Sequence, residues 1–189
     1  NENEEGIYTM IDSIQRTRTF KILNEASSIL TSGWINGGWY ELGTVATFVS
    51  WNKIEGLKLR MGGRITTQFN PKYQISGHLA MGLGDLRIKY LSGFNYSFND
   101  NFLNYPQHRI YTSISRLTMF PGQFSESLDN DNFLHSFNSS ASDKMILHHK
   151  IHFDYLKEYQ SGFSFNILLN NNRFKPLGAL IFVDGNGII

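Results

Sequence analysis

The sequence predicts a mainly β fold: an antiparallel meander forming part of a transmembrane β-barrel, preceded by a short amphipathic helical segment. Three observations predict it. From Leu57 to Phe98, three consecutive runs alternate strictly between apolar and polar residues. Several runs are about 10 to 14 residues long, where globular strands average about 5 to 6 and tilted transmembrane strands need about 9 to 11. Aromatic residues make up 14% of the chain and gather in those alternating runs.

The alternation is explicit. Leu57, Leu59, Met61 and Ile65 fall on one face, with Lys58, Arg60 and Arg64 on the other. Asn70-Pro71 breaks the chain before a run from Lys72 to Leu83, in which Tyr73, Ile75, Leu79, Met81 and Leu83 oppose Gln74, Ser76, His78 and Ala80. A third run sets Leu86, Ile88, Tyr90, Phe94, Tyr96 and Phe98 against Arg87, Lys89, Asn95 and Ser97. Successive side chains of a pleated strand point to opposite faces, so each run is a two-faced strand, and the short links make neighbours antiparallel.

Residues 1–32 read as a helical preface, at the periplasmic side or plugging the barrel, and residues 33–189 as strands. Ile7, Met10, Ile11, Ile14, Phe20, Leu23, Ala26, Ile29 and Leu30 recur at three-to-four spacing, with Thr17 and Thr19 marking a break. Trp34–Leu42 and Thr44–Trp51 form a first strand pair. A strand from about Arg109 to Phe120 stops at Pro121-Gly122, and Gln123–Asn132 is a loop. Phe133–Phe137 is a short strand. Met145, Leu147, Ile151, Phe153 and Tyr155 oppose His148, Lys150, His152 and Asp154, and Phe163, Phe165, Ile167 and Leu169 oppose Ser164, Asn166 and Leu168. Asn170-Asn171-Asn172 is a turn, and Ala179, Ile181 and Val183 close the last strand.

Chain-wide properties narrow the class. A net charge of +1 argues against nucleic acid as a partner. The absence of cysteine excludes disulfides and thiolate metal sites. No apolar run reaches the roughly 18 residues of a transmembrane helix, which leaves barrel strands untouched, since these are apolar only at alternate positions. The opening Asn-Glu-Asn-Glu-Glu-Gly lacks the basic start and apolar core of a signal peptide, and both ends read as cut, as in an internal piece of a longer chain.

Facing follows from chemistry. A barrel in lipid turns its apolar side outward and its charges toward the lumen. Lys58, Arg60, Arg64, Arg87, Lys89, His148, Lys150, His152 and Asp154 are then the lumen candidates. Leu57, Leu59, Met61, Ile75, Leu79, Met81, Ile88, Tyr90, Ile151, Phe153, Phe165 and Ile167 are the lipid candidates. A soluble lipocalin-like barrel binding a small apolar ligand would invert this arrangement.

Catalytic patterns are weak. His148 and His152 would share a metal on a helix, but on a strand they stand about 13 Å apart. Asp129-Asn-Asp-Asn begins like a calcium loop, yet Phe133 occupies its third acidic position. Gly82-Leu-Gly-Asp lacks the third glycine of a phosphate loop, no Gly-x-Ser-x-Gly elbow exists, and strand carboxylates are scarce. Arg60, Arg64, Arg87 and Lys89 form a basic stripe that would pair with acids from the opposite wall or line a path for an anionic solute. No catalytic, cofactor or metal residue is assigned. The expected role is non-enzymatic, as a channel, assembly component or envelope platform, with lipid bilayer and other envelope proteins as partners.

Trp51-Asn-Lys-Ile-Glu-Gly-Leu-Lys-Leu-Arg-Met-Gly-Gly-Arg64 resembles an Asn-x-Val-Glu-Gly-x-Arg-x-Arg-x-Gly-Gly-Arg signature. That signature belongs to a Bacteroidota outer-membrane family of unknown function, whose members carry an N-terminal carboxypeptidase-regulatory-like domain before a β-barrel region. Tyr8-Thr-Met-Ile-Asp-Ser and Pro176-Leu-Gly-Ala-Leu-Ile-Phe are similar to the same family, while Lys58 and Ile65 depart from its expected arginine and threonine. The resemblance implies a bacterial outer-membrane location and carries over no catalytic residues. An insertase or secretion barrel is a more distant expectation.

Overall fold

A computed structural model describes residues 17–101, 104–121, 143–184 and 187–188. A helix, α1 (Arg18–Ser32), ends at Gly33, whose left-handed φ of 76° lets its N–H return to Ile29 O at 2.8 Å. Ile22 and Leu23 of this helix are exposed. The expected apolar stripe from Ile7 to Ile14, the loop Gln123–Asn132 and the short strand Phe133–Phe137 lie outside the described residues.

The rest is one antiparallel sheet. Its strands are β1 (Trp34–Asn36), β2 (Tyr40–Gly43), β3 (Val49–Asn52), β4 (Gly56–Ile65), β5 (Tyr73–Gly82), β6 (Ile88–Ser97), β7 (His108–Met119), β8 (Lys144–Glu158) and β9 (Ser164–Gly178). Their order is β1-β2-β4-β5-β6-β7-β8-β9, with β3 also paired to β4, so each long strand from β4 onward lies beside its sequence neighbour. Among the described residues the sheet is not closed, because β1 and β9 pair on one side only. A separate ribbon joins β10 (Val183–Asp184) to β11 (Gly187–Ile188).

The sheet is curled. Ile54, in the turn between β3 and β4, packs against Met145, Leu147 and Leu177 of β8 and β9. A Cβ on Gly178 would come 2.7 Å from Ile54 Cδ1. Five interstrand spacings separate β4 from β9, about 24 Å in a flat sheet, so contact across that distance requires a strong bend.

Several boundaries differ from expectation. Trp34–Leu42 is not one strand, because Gly37 and Gly38 turn it into the β1–β2 hairpin, with Gly38 N–H donating to Asn36 Oδ1 at 2.7 Å. Val45–Thr47 is a 3-10 turn held by Thr47 Oγ1 donating to Thr44 O at 2.8 Å, so β3 starts only at Val49. Leu86 sits in a turn with φ 50°, and Arg87 precedes β6, its N–H donating to Asp85 Oδ1. Ala179 and Ile181 lie outside any strand.

The largest correction is Asn170-Asn171-Asn172, which is mid-strand in β9 and not a turn. Its turn propensity is overridden by pairing with β8. His152 Nδ1 lies 2.7 Å from Asn170 Oδ1, His148 Nε2 lies 2.9 Å from Asn172 Oδ1, and Asn166 Nδ2 donates to Asp154 Oδ1 at 2.7 Å. Cross-strand polar pairs stabilise a sheet in register, and here they hold a sequence that would bend in isolation.

Candidate functional site

Strand pairing fixes which side chains share a face. On the charged face, Arg60 lies opposite Ala80, Ala80 opposite Lys89, Leu91 opposite Ser115, and Ser115 opposite Lys150. On the apolar face, Met61, Leu79, Tyr90, Arg116, His149 and Arg173 form one continuous row.

Burial is inverted relative to a water-soluble sheet. Among the described residues, thirteen polar or charged residues are buried against five apolar ones. Of the proposed lumen residues, Lys58, Arg60, Lys89, His148 and Asp154 are buried, and Arg64, Arg87, Lys150 and His152 are half-buried. Of the proposed lipid residues, Leu57, Leu59, Met61, Ile75, Leu79, Met81, Ile88, Ile151, Phe165 and Ile167 are exposed, and Tyr90 and Phe153 are half-buried. Met61 is 75% exposed, and Lys89, from the charged face, 2%.

Glu55, Lys58, Lys89 and Asp154, all buried, are neutralised by ion pairs. Glu55, fully buried, sits at the end of the β3–β4 turn, where Asn52 Oδ1 accepts the N–H groups of Ile54 and Glu55. Asn52 Nδ2 donates to Glu55 Oε2 at 2.6 Å, Lys58 Nζ lies 3.7 Å from that oxygen, and Lys89 Nζ lies 2.7 Å from Glu55 Oε1. Lys89 also reaches Asp85 Oδ2 at 2.6 Å from the β5–β6 turn. Elsewhere Arg64 Nε pairs with Glu41 Oε2 at 2.6 Å while its guanidinium lies 4.1 Å above the Trp34 ring, and Arg109 pairs with Asp154 at 3.1 Å. For Lys89 and Arg64, then, the acids come from turns and the adjoining strand, not from an opposite wall. Sequence reading met Asn52 and Glu55 only within a family signature and Asp85 only in an incomplete phosphate loop, and gave none of them a site role; the Asn-x-x-Glu spacing of an Asx turn was the available signal.

The same face carries a ladder of His148, His152 and Asp154 against Asn172, Asn170 and Asn166. Its histidines are spent on amide oxygens of β9. Among the described residues, no group of three or more His, Asp or Glu side chains could hold a metal ion. Asp129-Asn-Asp-Asn lies outside the described residues.

At one end of the apolar face, aromatic rings touch from strand to strand. Tyr73 meets Tyr96 at 5.4 Å between ring centres, Tyr96 meets Phe98 at 5.1 Å, and Phe98 stacks on His108 at 4.2 Å. His108 contacts Tyr155 at 5.7 Å, and Tyr155 contacts Phe165 at 6.3 Å. Trp39 and Phe69, 6.0 Å apart, stand at the same end.

Among the described residues, no helix is long and apolar enough to cross a membrane, which says nothing about crossing by strands. Comparison with protein families, with curated proteins and with solved structures finds no match to this chain.

Proposed function

We propose that this chain forms wall of a bacterial outer-membrane β-barrel, with a non-enzymatic role as channel, assembly component or envelope platform. The observation that carries the reading is the inverted burial, with charges such as Lys89 and Glu55 inside and Met61, Leu79 and Ile88 exposed. In water, an exposed apolar face running across six long strands would drive aggregation, since a soluble monomer rarely exposes more than a few hundred Å² of contiguous apolar surface. In lipid, the same face is the solvated one.

Dimensions support the reading. Nine residue steps from Tyr73 to Gly82 span about 31 Å along β5, or about 23 Å in height at a 40° tilt, close to the roughly 25 Å apolar band of such barrels. The linked rings from Tyr73 to Phe165 correspond to an interfacial aromatic girdle.

Tilt supports it as well. A strand tilt of about 40° shifts a horizontal band by about 4 Å, a little over one residue, per strand. The lower end of the exposed apolar band moves from Met81 on β5 to Ile151 on β8. The row through Leu79 reaches His149, so Met81 shares its row with Leu147, and the shift is four residues over three strands. The resemblance of residues 51–64 to a Bacteroidota outer-membrane family points to the same compartment.

The test is direct. The purified protein should float with phosphatidylcholine vesicles after refolding from urea and migrate differently on gels before and after boiling. Recovery as a stable monomer in detergent-free buffer overturns the proposal.

A further inference from the structure

We infer that Arg116, His149 and Arg173 form a site for the phosphate of an anionic lipid headgroup at one rim of the apolar face; the inference rests on the membrane reading above. The three residues are direct cross-strand neighbours on β7, β8 and β9. They share the face and the register row of Met61, Leu79 and Tyr90.

Their position in the band is specific. One step along the strands, the next residues on that face are Ile114 and Ile151, both exposed and apolar. On β9 the corresponding residue is Asn171, and beyond the row the same face continues into the buried Thr118, Leu147 and Leu177, so the basic row lies where the exposed apolar band gives way to the packed end of the sheet. Lys175, on the same face of β9 and exposed, adds a further cation just beyond it.

Side-by-side basic residues repel one another, and like charges directly opposite in a sheet are destabilising. On the inner face Lys89 is met by Glu55 and Asp85, Arg64 by Glu41 and Arg109 by Asp154. Here, among the described residues, no carboxylate pairs with Arg116 or Arg173. Arg116 Nε is shielded from solvent and has no hydrogen-bond acceptor. A buried guanidinium donor without an acceptor calls for one.

A phosphate complements these residues in charge and in hydrogen bonding. Arg116 and Arg173 are two strands apart, about 10 Å at the backbone, so their flexible arms can converge on one group. Guanidinium binds phosphate oxygens through paired charge-assisted hydrogen bonds. The opposite rim differs, because its outward Lys157 lies 5.2 Å over the Tyr159 ring among aromatic residues.

The test uses the full chain inserted into phosphatidylcholine vesicles with and without phosphatidic acid, then released for native mass spectrometry. The wild type should carry phosphatidic acid adducts. The double variant Arg116→Gln with Arg173→Gln should carry about tenfold fewer, and Lys157→Gln as many as the wild type. Equal adducts on the wild type and the double variant, both correctly inserted, overturn this inference and leave the membrane reading standing. Clearance of the adducts by inorganic phosphate makes the ligand a soluble anion and also overturns it. Failure of the wild type to float with phosphatidylcholine vesicles removes the membrane reading, and the inference with it.

Discussion

Lys89 Nζ stands 2.7 Å from Glu55 Oε1, in a pair whose side chains are 2% and 0% exposed. The lysine belongs to a strand and the glutamate to a turn two strands away, so the pair ties the β3–β4 turn down onto the inner face of β6. Asp85, 2.6 Å from the same nitrogen, ties in the β5–β6 turn. Removing the lysine leaves two carboxylates out of water and short of a partner.

Lys89→Met should therefore lower stability by about 3–5 kcal/mol, the usual result of breaking a buried pair from one side. Adding Glu55→Gln and Asp85→Asn should restore much of the loss, because the uncompensated charge goes with them. Urea unfolding followed by tryptophan fluorescence measures both. If Lys89→Met costs no more than an ordinary surface change, the three groups are not coupled as drawn.

A second prediction uses two leucines of similar exposure on opposite faces. Leu79 is 63% exposed on the apolar face, and Leu168 is 57% exposed on the face that carries Asp154. For a sheet in water the two sites are equivalent. For a barrel wall, Leu79→Arg should cost about 2–4 kcal/mol near the bilayer midplane and impair insertion, while Leu168→Arg should be tolerated. Folding yield into vesicles decides the matter, and matched tolerance at the two sites would remove the assigned facing.

The parts legible in the sequence were those where the period-two signal is strong and uninterrupted. Gly56–Ser97 shows this: three runs became β4, β5 and β6 with their ends within two residues of expectation. Legibility failed where a local preference competes with a distant partner. Asn170–Asn172 favours a turn on its own, and only His148 and His152 across the ladder make it a strand. The acids Glu55 and Asp85 lie in turns, so no strand periodicity points to them. What pairs them with Lys89 is how the turns fold back, which depends on the curl of the whole sheet.

Gly62 and Gly63 illustrate a reading that needed the structure to sharpen it. Paired glycines within a strand suit a bend or a close backbone approach, and the structure shows close approach. A Cβ on Gly63 would lie 2.6 Å from Glu41 O on β2, and one on Gly62 would lie 2.5 Å from His78 Cβ on β5. Gly63→Ala should cost about 1–3 kcal/mol by overpacking, and it should act on the β2–β4 pairing first. Faster amide exchange at Leu42 than at residues of the β5–β6 ladder is the expected signature. Uniform acceleration over all strands would mean that the methyl is accommodated elsewhere.

The aromatic rim gives a last prediction, about depth. Trp39 lies beside Phe69 at the Tyr73 end of the sheet, and Trp51 pairs with Leu57 at the opposite end. If both ends sit at headgroup level, single-tryptophan variants retaining either residue should be quenched best by lipids brominated close to the headgroup. Leu79→Trp, introduced with Trp34, Trp39 and Trp51 replaced by Phe, should be quenched best by bromines deep in the acyl chain. The order of quenching carries the argument, because tryptophan at an interface and tryptophan mid-band differ in depth by roughly half the hydrocarbon thickness, about 15 Å. Quenching at Trp39 and Trp51 but not at position 79 would describe a protein resting on the bilayer by its ends. Absence of quenching at all three would return the apolar face to water.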